Sequence, residues 1–292
     1  MDNGTGWERH RRTHFNDIVE NYDLVRPEYP SELFEDIFKY SGLELLTADK
    51  KALEIGAGTG KATSPVLKAG YGVTAVEISE NMAAFLLEKY KNYKNFNVIV
   101  STFEDALLAE NSCDLIYAAS AFHWVDPEIG CPKVFRLLKS GGVFALLRYN
   151  FNNIPPYGEK LHEEITAAYE KNFFTYYISE NKFNQKKITK KRFEGYPKIL
   201  SGYGFEDLSV YGFSDITMNL YEATRTYDPD EWIGLLNTLS DHRNLPEHNK
   251  TALYSEIKEA IIKNGGQHKL DIVFQLYMGR KVKSSRPIES AE

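Results

Sequence analysis

The chain has 292 residues, of which 42% are hydrophobic and 26% are charged, so it is long enough to bury a full core in an ordinary globular fold. Its formal net charge of −6, from 35 Lys and Arg against 41 Asp and Glu, argues against a nucleic-acid-binding surface as the main function. The two cysteines, Cys113 and Cys131, are not in a metal-ligand spacing, so we predict neither a metal site nor a disulfide framework. No stretch reaches the roughly 20 apolar residues of a membrane span, and the N-terminus lacks an apolar signal core. We therefore expect a cytoplasmic protein.

Two helices are predicted ahead of the first strand. The first covers about 15–24 and ends at the Arg26-Pro27 and Tyr29-Pro30 turn, because a residue before proline is kept out of the helical region. The second begins at Ser31, a suitable N-cap, and has one apolar face. We expect residues 1–50 to form a lid of helices rather than a separate domain.

Strands and helices alternate between residues 51 and 150. Strands are predicted at 51–55, 72–77, 96–100, 113–119 and 142–149, and helices near 61–69, 80–91 and 128–139. Such alternation with short connections indicates a parallel sheet with helices on both faces. Right-handed crossovers place the carboxyl ends of the strands, and therefore the ligand, along one edge of the sheet.

The alternation stops after residue 150. Residues 151–204 are predicted to form a helical insertion, with its clearest helix from Tyr157 to Phe174 and a basic run, Lys186 to Arg192, on a solvated face. Residues 205–282 return to strands, at 205–213 and 270–278. Helices there begin at Asp228-Pro229 and after Pro246. Residues 283–292 are expected to be a polar tail.

A glycine-rich turn directly follows the first predicted strand. Gly56, Gly58 and Gly60 alternate there, and glycine lets the backbone approach a ligand closely with φ above zero. The helix start that follows adds free N–H donors. Glu77 ends the next strand about 20 residues later, where a nucleotide ribose needs a hydrogen-bond acceptor. Together these features predict a site for a nucleotide-like cofactor.

Two common nucleotide sites fit this turn poorly. The dinucleotide fingerprint requires a glycine or alanine where this chain has Lys61, and a phosphate-binding loop requires Ser or Thr where it has Ala62. Glu54, two residues ahead of Gly56, would repel a pyrophosphate and suits a cationic ligand group better. The turn therefore favours a cationic cofactor.

Glu54 to Gly60 resembles motif I of the class I S-adenosylmethionine-dependent methyltransferases. The match continues through Glu77, Phe103-Glu104-Asp105, Cys113 to Ile116 and Leu137 to Gly142. Two further segments, Tyr22 with Arg26 to Pro30 and Ala121 to Asp126, are similar to the small-molecule branch that includes trans-aconitate methyltransferases. The resemblance covers about residues 15–150. It implies an α/β, Rossmann-like class I methyltransferase fold: a mainly parallel seven-stranded sheet with an N-terminal helical lid and a helical insertion after the fifth strand.

The resemblance also implies how the chain binds S-adenosyl-L-methionine. Gly56, Gly58 and Gly60 would lie against its amino-acid portion and ribose. Glu54 would attract the methionyl ammonium, and Glu77 would accept from the ribose hydroxyls. The other implied contacts are Ile78 and Met82 on the adenine face, Thr102, Phe103 and Glu104 bracketing the adenine, Ala119 and Ser120 beside the sulfonium, Arg26 on the methionyl carboxylate and Tyr22 closing the lid. Thr102 departs from the family, which usually has an acidic residue at this position.

His123 and Trp124 are the candidate catalytic residues. His123 can take a proton near neutral pH, and the Trp124 face can favour a sulfonium cation, although both residues also fit a packing role. The reaction implied is SN2 methyl transfer to a small molecule, with a carboxylic acid as the first candidate acceptor. We expect no nucleic-acid or membrane partner, and a monomer or homodimer. Two alternatives stay open: a non-catalytic S-adenosylmethionine- or S-adenosylhomocysteine-binding regulatory protein, and a nicotinamide-dependent oxidoreductase.

Overall fold

The computed structural model describes residues 19–42, 50–152, 158–177 and 207–281. Within these ranges the strands are Lys51–Ile55 (β1), Gly72–Glu77 (β2), Phe96–Val100 (β3), Cys113–Ala119 (β4), Leu138–Asn152 (β5), Phe213–Tyr227 (β6) and His268–Lys281 (β7). The α-helices are Val19–Val25 (α1), Ser31–Tyr40 (α2), Thr63–Lys68 (α3), Glu80–Lys89 (α4), Pro127–Leu137 (α5), Glu159–Asn172 (α6), Pro229–Leu236 (α7), Ser240–Arg243 (α8) and Glu247–Lys263 (α9). None of these helices is both long and apolar enough to cross a membrane.

The strands form one sheet of seven in the described residues, in the order β3-β2-β1-β4-β5-β7-β6. The strands β1 to β5 pair in parallel, and β7 lies between β5 and β6, antiparallel to both. The predicted mainly parallel seven-stranded sheet is therefore confirmed. The carboxyl ends of β1 to β5 lie along one edge, and this edge positions the site.

Both faces of the sheet are covered by apolar side chains that alternate along each strand. Ala52 belongs to the cluster that packs against α2, α3 and α4, whereas Leu53 belongs to the cluster that packs against α5. A third buried cluster joins α6, α7 and α9, and Val25 at the end of α1 packs into it. The N-terminal segment therefore contacts the C-terminal helices as well as the sheet.

Several predicted bounds of helices and strands are wrong, most of them toward the C-terminus. Residues 208–211 form a short 3-10 helix, capped by the Asp207 carboxylate and ended by Gly212 at φ 90°, in place of the predicted strand over 205–213. The strand β6 begins only at Phe213. The strand β5 also extends beyond the predicted 142–149: it begins at Leu138, which pairs with Cys113 of β4, and it runs beside its antiparallel partner β7 as far as Asn152. Pro30, not Ser31, occupies the N-cap position of α2, without a side-chain cap.

Some predictions lie outside the described residues. These are the start of the first helix before Val19, the basic run at 186–192 and the tail at 283–292. The predicted division of the chain into lid, core, insertion and closing segments stays a prediction.

Candidate active site

A cleft of about 320 Å³ lies at the carboxyl edge of the sheet. Its walls include Ile55 from β1, Glu77 from β2, Ala119 from β4 and Tyr149 from β5, and Arg26 from the N-terminal segment also lines it. The volume is within the range of small-molecule sites, and strand ends of this kind are where open α/β sheets bind ligands.

The glycine turn after β1 forms the floor of the cleft. Gly56, Gly58 and Gly60 have φ values of 66°, 57° and 82°, in the left-handed region that favours glycine. A Cβ on Gly58 would lie 3.9 Å from Met82 Sδ, an ordinary van der Waals contact, so this position is the least crowded of the three. Gly60 instead faces Tyr90, whose hydroxyl donates to the Gly60 carbonyl at 2.7 Å. The middle glycine is therefore the one that best admits a ligand to the backbone.

Gly56 has much tighter surroundings than Gly58. A Cβ there would lie 2.6 Å from Ala121 Cβ, and its φ is positive as well. We expect Gly56→Ala to lower the free energy of unfolding by about 2–4 kcal/mol, since steric overlap and backbone strain add. Gly70→Ala is the matched control, because Gly70 has φ 89° but a Cβ added to it would have no neighbouring atom within 4 Å. Urea denaturation of both variants checks this, and equal losses would contradict the steric argument.

The Glu77 carboxylate ties the glycine turn to the end of β2. Its Oε2 accepts from the Gly58 N–H at 2.8 Å and its Oε1 from the Ser79 N–H at 2.9 Å. Burial raises the pKa of this carboxyl group, and the backbone N–H donors oppose that shift. Each carboxylate oxygen can accept a further bond, and Glu77 lines the cleft. It can therefore accept hydrogen bonds from ligand hydroxyls.

Glu54 lies beneath the turn and does not line the cleft. Its Oε2 accepts from the Thr63 hydroxyl and from the Tyr117 hydroxyl, the latter at 3.0 Å. Burial raises its pKa to about 8, so the carboxyl group is mostly neutral at pH 7. Glu54 therefore contacts Thr63 and Tyr117 rather than the cleft itself, and its attraction of the methionyl ammonium stays a prediction.

Arg26 joins the N-terminal segment to the far side of the cleft. Its Nη1 donates to Tyr149 Oη at 2.7 Å, its Nη2 donates to the Thr238 carbonyl at 2.8 Å, and its guanidinium lies 4.9 Å from the centre of the Tyr22 ring. Arg225 in turn donates to the Arg26 carbonyl at 3.2 Å. Tyr22 and Arg26 thus form one wall of the cleft, with the arginine already engaged by protein groups.

The end of β4 brings His123 and Trp124 to the cleft, with their rings 4.9 Å apart. Burial lowers the pKa of His123 to about 3, and the nearby Arg148 and Arg26 charges add to that shift. The imidazole is therefore neutral at physiological pH. A group with so low a pKa is a weak general base, because base catalysis is most effective when the pKa lies near the working pH.

The opposite end of the cleft lies at the carboxyl ends of β2 and β3. Met82 and Phe103 are buried there, and the Met82 N–H donates to the capping Ser79 hydroxyl at 3.2 Å. The Thr102 hydroxyl donates to Asp105 Oδ2 at 2.7 Å. This end offers apolar surface beside the Glu77 and Glu104 carboxyl groups.

Comparison with known proteins finds similar methyltransferases. Residues 53–146 match the family model of a methyltransferase domain. A Schizosaccharomyces pombe protein described as an uncharacterized methyltransferase is 25% identical over 278 residues, which are 93% of this chain and 98% of that protein. Residues 53–146 form a methyltransferase domain, and together with this relative they support a class I S-adenosylmethionine-dependent methyltransferase. Its predicted placement in the trans-aconitate branch stays a prediction.

A further relative and a solved structure are also similar to this chain. A Saccharomyces cerevisiae protein described as a probable S-adenosylmethionine-dependent methyltransferase is 26% identical over 211 residues, which are 70% of this chain and 66% of that protein. The solved structure of a candidate type II methyltransferase from Anaeromyxobacter dehalogenans has a TM-score of 0.57 at 20% identity, covering 88% of this chain and 97% of that one. The second likeness shows a shared fold.

The cleft of this methyltransferase brings together most of the predicted site residues. Glu54 and Gly60 are the exceptions, and the rest line the cleft: Tyr22, Arg26, Gly56, Gly58, Glu77, Ile78, Met82, Thr102, Phe103, Glu104, Ala119, Ser120, His123 and Trp124. Their individual roles stay predictions.

Sequence reasoning missed other lining residues, above all Tyr29, Arg148 and Tyr149. Tyr29 lies in the Arg26 to Pro30 segment that carries the resemblance, yet the resemblance gives it no role. Arg148 and Tyr149 lie toward the carboxyl end of β5, so the rule for parallel strand ends could have found them.

Proposed function

We propose that this methyltransferase transfers the methyl group of S-adenosylmethionine to a small anionic acceptor, with carboxylates as the first candidates. The observation that carries the proposal is the distribution of charge in the cleft. Glu77 and Glu104 line it at the β2 and β3 end, whereas Arg148 and Arg26 line it at the β5 end. Both arginines contribute to the low pKa of His123, so the positive charge of both acts on the part of the cleft around His123.

The β1 and β2 end suits the methyl donor. Gly58 has no side chain to hinder the approach of a ligand, and the Glu77 carboxylate can accept from ribose hydroxyls while it holds its two backbone donors. Ile78 and Met82 add apolar surface for an adenine ring. When bound, S-adenosylmethionine supplies a methyl group activated by a sulfonium centre.

The β5 end suits an anion. The Arg148 and Arg26 cations would attract a carboxylate, and the N-terminal segment lines the same cleft beside them. A carboxylate is already anionic and needs no base, which agrees with the neutral, weakly basic His123. In this proposal His123 and Trp124 shape and orient the acceptor site, and the chain contributes mainly positioning.

Calorimetry with S-adenosylmethionine, S-adenosylhomocysteine and NAD, followed by a methyl-transfer screen over small acids, amines and phenols, tests the proposal. We expect binding of the first two ligands and turnover on acids. Binding of NAD alone would contradict the proposal, and turnover on amines alone would contradict the anionic acceptor. Cofactor binding without turnover on any acceptor would favour a regulatory protein.

We expect Arg148→Gln to lower kcat/KM for the acid acceptor by about 10- to 100-fold, the scale of losing a charge-assisted hydrogen bond. It should also raise the pKa of His123 above about 3, because a neighbouring cation is removed, and NMR titration of the histidine measures this. Affinity for S-adenosylhomocysteine should stay unchanged.

The matched control is Arg136→Gln, since Arg136 lies on the helix α5, outside the cleft, with Glu110 at 3.5 Å. Turnover that falls equally in both variants would contradict a specific role for Arg148.

A further inference from the structure

Side chains near the carboxyl end of β5 alternate between two chemical kinds. Arg148 and Asn150 are polar and lie on one face of the sheet, because successive side chains of a strand point to opposite faces. Tyr149 and Phe151 are aromatic and pack on the other face, against the cluster that α2, α3 and α4 cover. All four residues line the cleft. The β5 end of the cleft therefore has a polar side and an apolar side.

The polar side provides positive charge for one anionic group. The Arg148 charge lowers the pKa of His123, so it acts on the part of the cleft around that ring. Arg26 also lines the cleft, but it already donates to two protein oxygens. Among the described residues the remaining Lys or Arg that lines the cleft is Lys61, which pairs with Glu28. A ligand with a single carboxylate suits this arrangement better than one with several.

The apolar side is formed by Phe151 and Leu239, which we name the Phe151–Leu239 wall. The Phe151 ring makes edge contacts with Tyr227 and Trp232 at centroid distances of 6.2 and 5.8 Å. Leu239 packs against the same buried cluster, which joins α6, α7 and α9. Both members of the wall are only partly buried, and both line the cleft. An apolar ligand group that covered the wall would remove apolar surface from water, which is favourable.

Arg26 holds the two members of the wall at the same end of the cleft. Its Nη1 donates to Tyr149 Oη at 2.7 Å, and the Tyr149 ring lies 5.7 Å from the Phe151 ring. Its Nη2 donates at 2.8 Å to the carbonyl of Thr238, the residue directly before Leu239. The wall is therefore part of the arginine-lined end of the cleft rather than of the glycine-turn end.

We propose that the acceptor is a monocarboxylic acid with an apolar body, whose carboxylate lies toward Arg148 and whose alkyl or aryl group covers the Phe151–Leu239 wall. The inference rests on the proposed function and adds the class of acid. One carboxylate oxygen forms the bond to the methyl carbon while the carbon–sulfur bond breaks, and the electron pair of that bond stays on sulfur. The products are a methyl ester and S-adenosylhomocysteine.

The wall should select among acids. Each CH₂ group that it covers is expected to raise kcat/KM by about fourfold, the scale of burying one such group. A second carboxylate against the wall would lose water without gaining a hydrogen bond, which is unfavourable. Phe151 and Leu239 would thus determine specificity without touching the reacting atoms.

Steady-state kinetics with acetate, hexanoate, phenylacetate and succinate at saturating S-adenosylmethionine tests the inference, with the methyl ester measured by mass spectrometry. We expect kcat/KM for hexanoate and for phenylacetate to exceed that for acetate by about tenfold or more. Succinate should be no better than acetate, because its second carboxylate would lie against the wall.

Variants of the wall should lower this preference. In Leu239→Asn and in Phe151→Ser the ratio of kcat/KM for hexanoate to that for acetate should fall by about five- to tenfold, with S-adenosylhomocysteine affinity unchanged. Leu239 occupies the N-cap position of α8, where asparagine is favourable, so the first variant is expected to fold. Leu239→Met should keep the ratio. Leu87→Asn is the matched control, since Leu87 is half-exposed on α4, outside the cleft.

The outcomes separate the two proposals. Equal kcat/KM for acetate and hexanoate, or a preference for succinate, would overturn the apolar acceptor while the proposed function stands. A preference for hexanoate that is unchanged in both Leu239→Asn and Phe151→Ser would overturn the role of the wall. Turnover on amines and on no acid would overturn the proposed function itself. If Phe151→Ser does not fold, Leu239→Asn decides alone.

Discussion

Replacing Glu77 with alanine is expected to weaken S-adenosylhomocysteine binding by about 1–3 kcal/mol, roughly five- to 150-fold. In the proposed function the variant loses the acceptor for the ribose hydroxyls. It also leaves the Gly58 and Ser79 N–H groups without the carboxylate oxygens that now accept from them at 2.8 and 2.9 Å. The glycine turn would therefore lose its tie to β2 as well as a ligand contact. Calorimetry measures the affinity, and thermal unfolding measures the loss of stability.

Two variants separate these effects. Glu80→Ala is the matched control, because Glu80 is exposed in the first turn of α4 and does not line the cleft. Glu77→Gln keeps one acceptor oxygen and should retain part of the affinity. A folded Glu77→Ala protein that binds S-adenosylhomocysteine as tightly as the unmodified protein would refute the ribose role.

The free energy of unfolding should depend on pH because of Glu54. Its pKa is about 8 in the folded protein against 4.5 for the ordinary group, so between these values the folded state holds a proton that the unfolded state releases. The stabilisation by this proton is fully present below about pH 4.5 and is lost as pH rises through 8. The loss should be on the order of 5 kcal/mol.

Glu54→Gln should remove this contribution, since the amide does not titrate and its oxygen can still accept from Thr63 and Tyr117. Urea denaturation at pH 5, 6.5 and 8 measures the slope, and the exposed Glu35→Gln serves as control. A slope in Glu54→Gln equal to that of the unmodified protein would show that the buried proton lies elsewhere.

The parallel half of the fold follows from local sequence. The strands β1 to β4 have the predicted bounds residue for residue, because each is a short apolar run closed by a turn or cap, such as Gly56 after β1 or Ser79 after β2. The strands β6 and β7 are 15 and 14 residues long, and their ends are set by pairing with each other and with β5. Pairing between segments so distant in the chain leaves no local signal.

The site residues also fall into those that local sequence predicts and those that depend on distant contacts. Residues at the end of a strand or directly after it, such as Glu77 and Ser120, could be placed at the cleft from the chain alone. Tyr29 could not, because its contact with Ser120 joins residues 91 positions apart. The raised pKa of Glu54 could not be predicted from the sequence either, since it depends on burial and on the contact with Tyr117, 63 positions away.

The position of Arg26 has a practical consequence for the design of truncated forms of this protein. The segment that matches the methyltransferase family covers residues 53–146, yet Arg26 precedes it and holds to Tyr149, Thr238 and Arg225, which all follow it. Residues that precede this segment and residues that follow it both line the cleft. An expression fragment limited to that domain would keep the glycine turn and Glu77 but would leave the ligand edge of the sheet open to water.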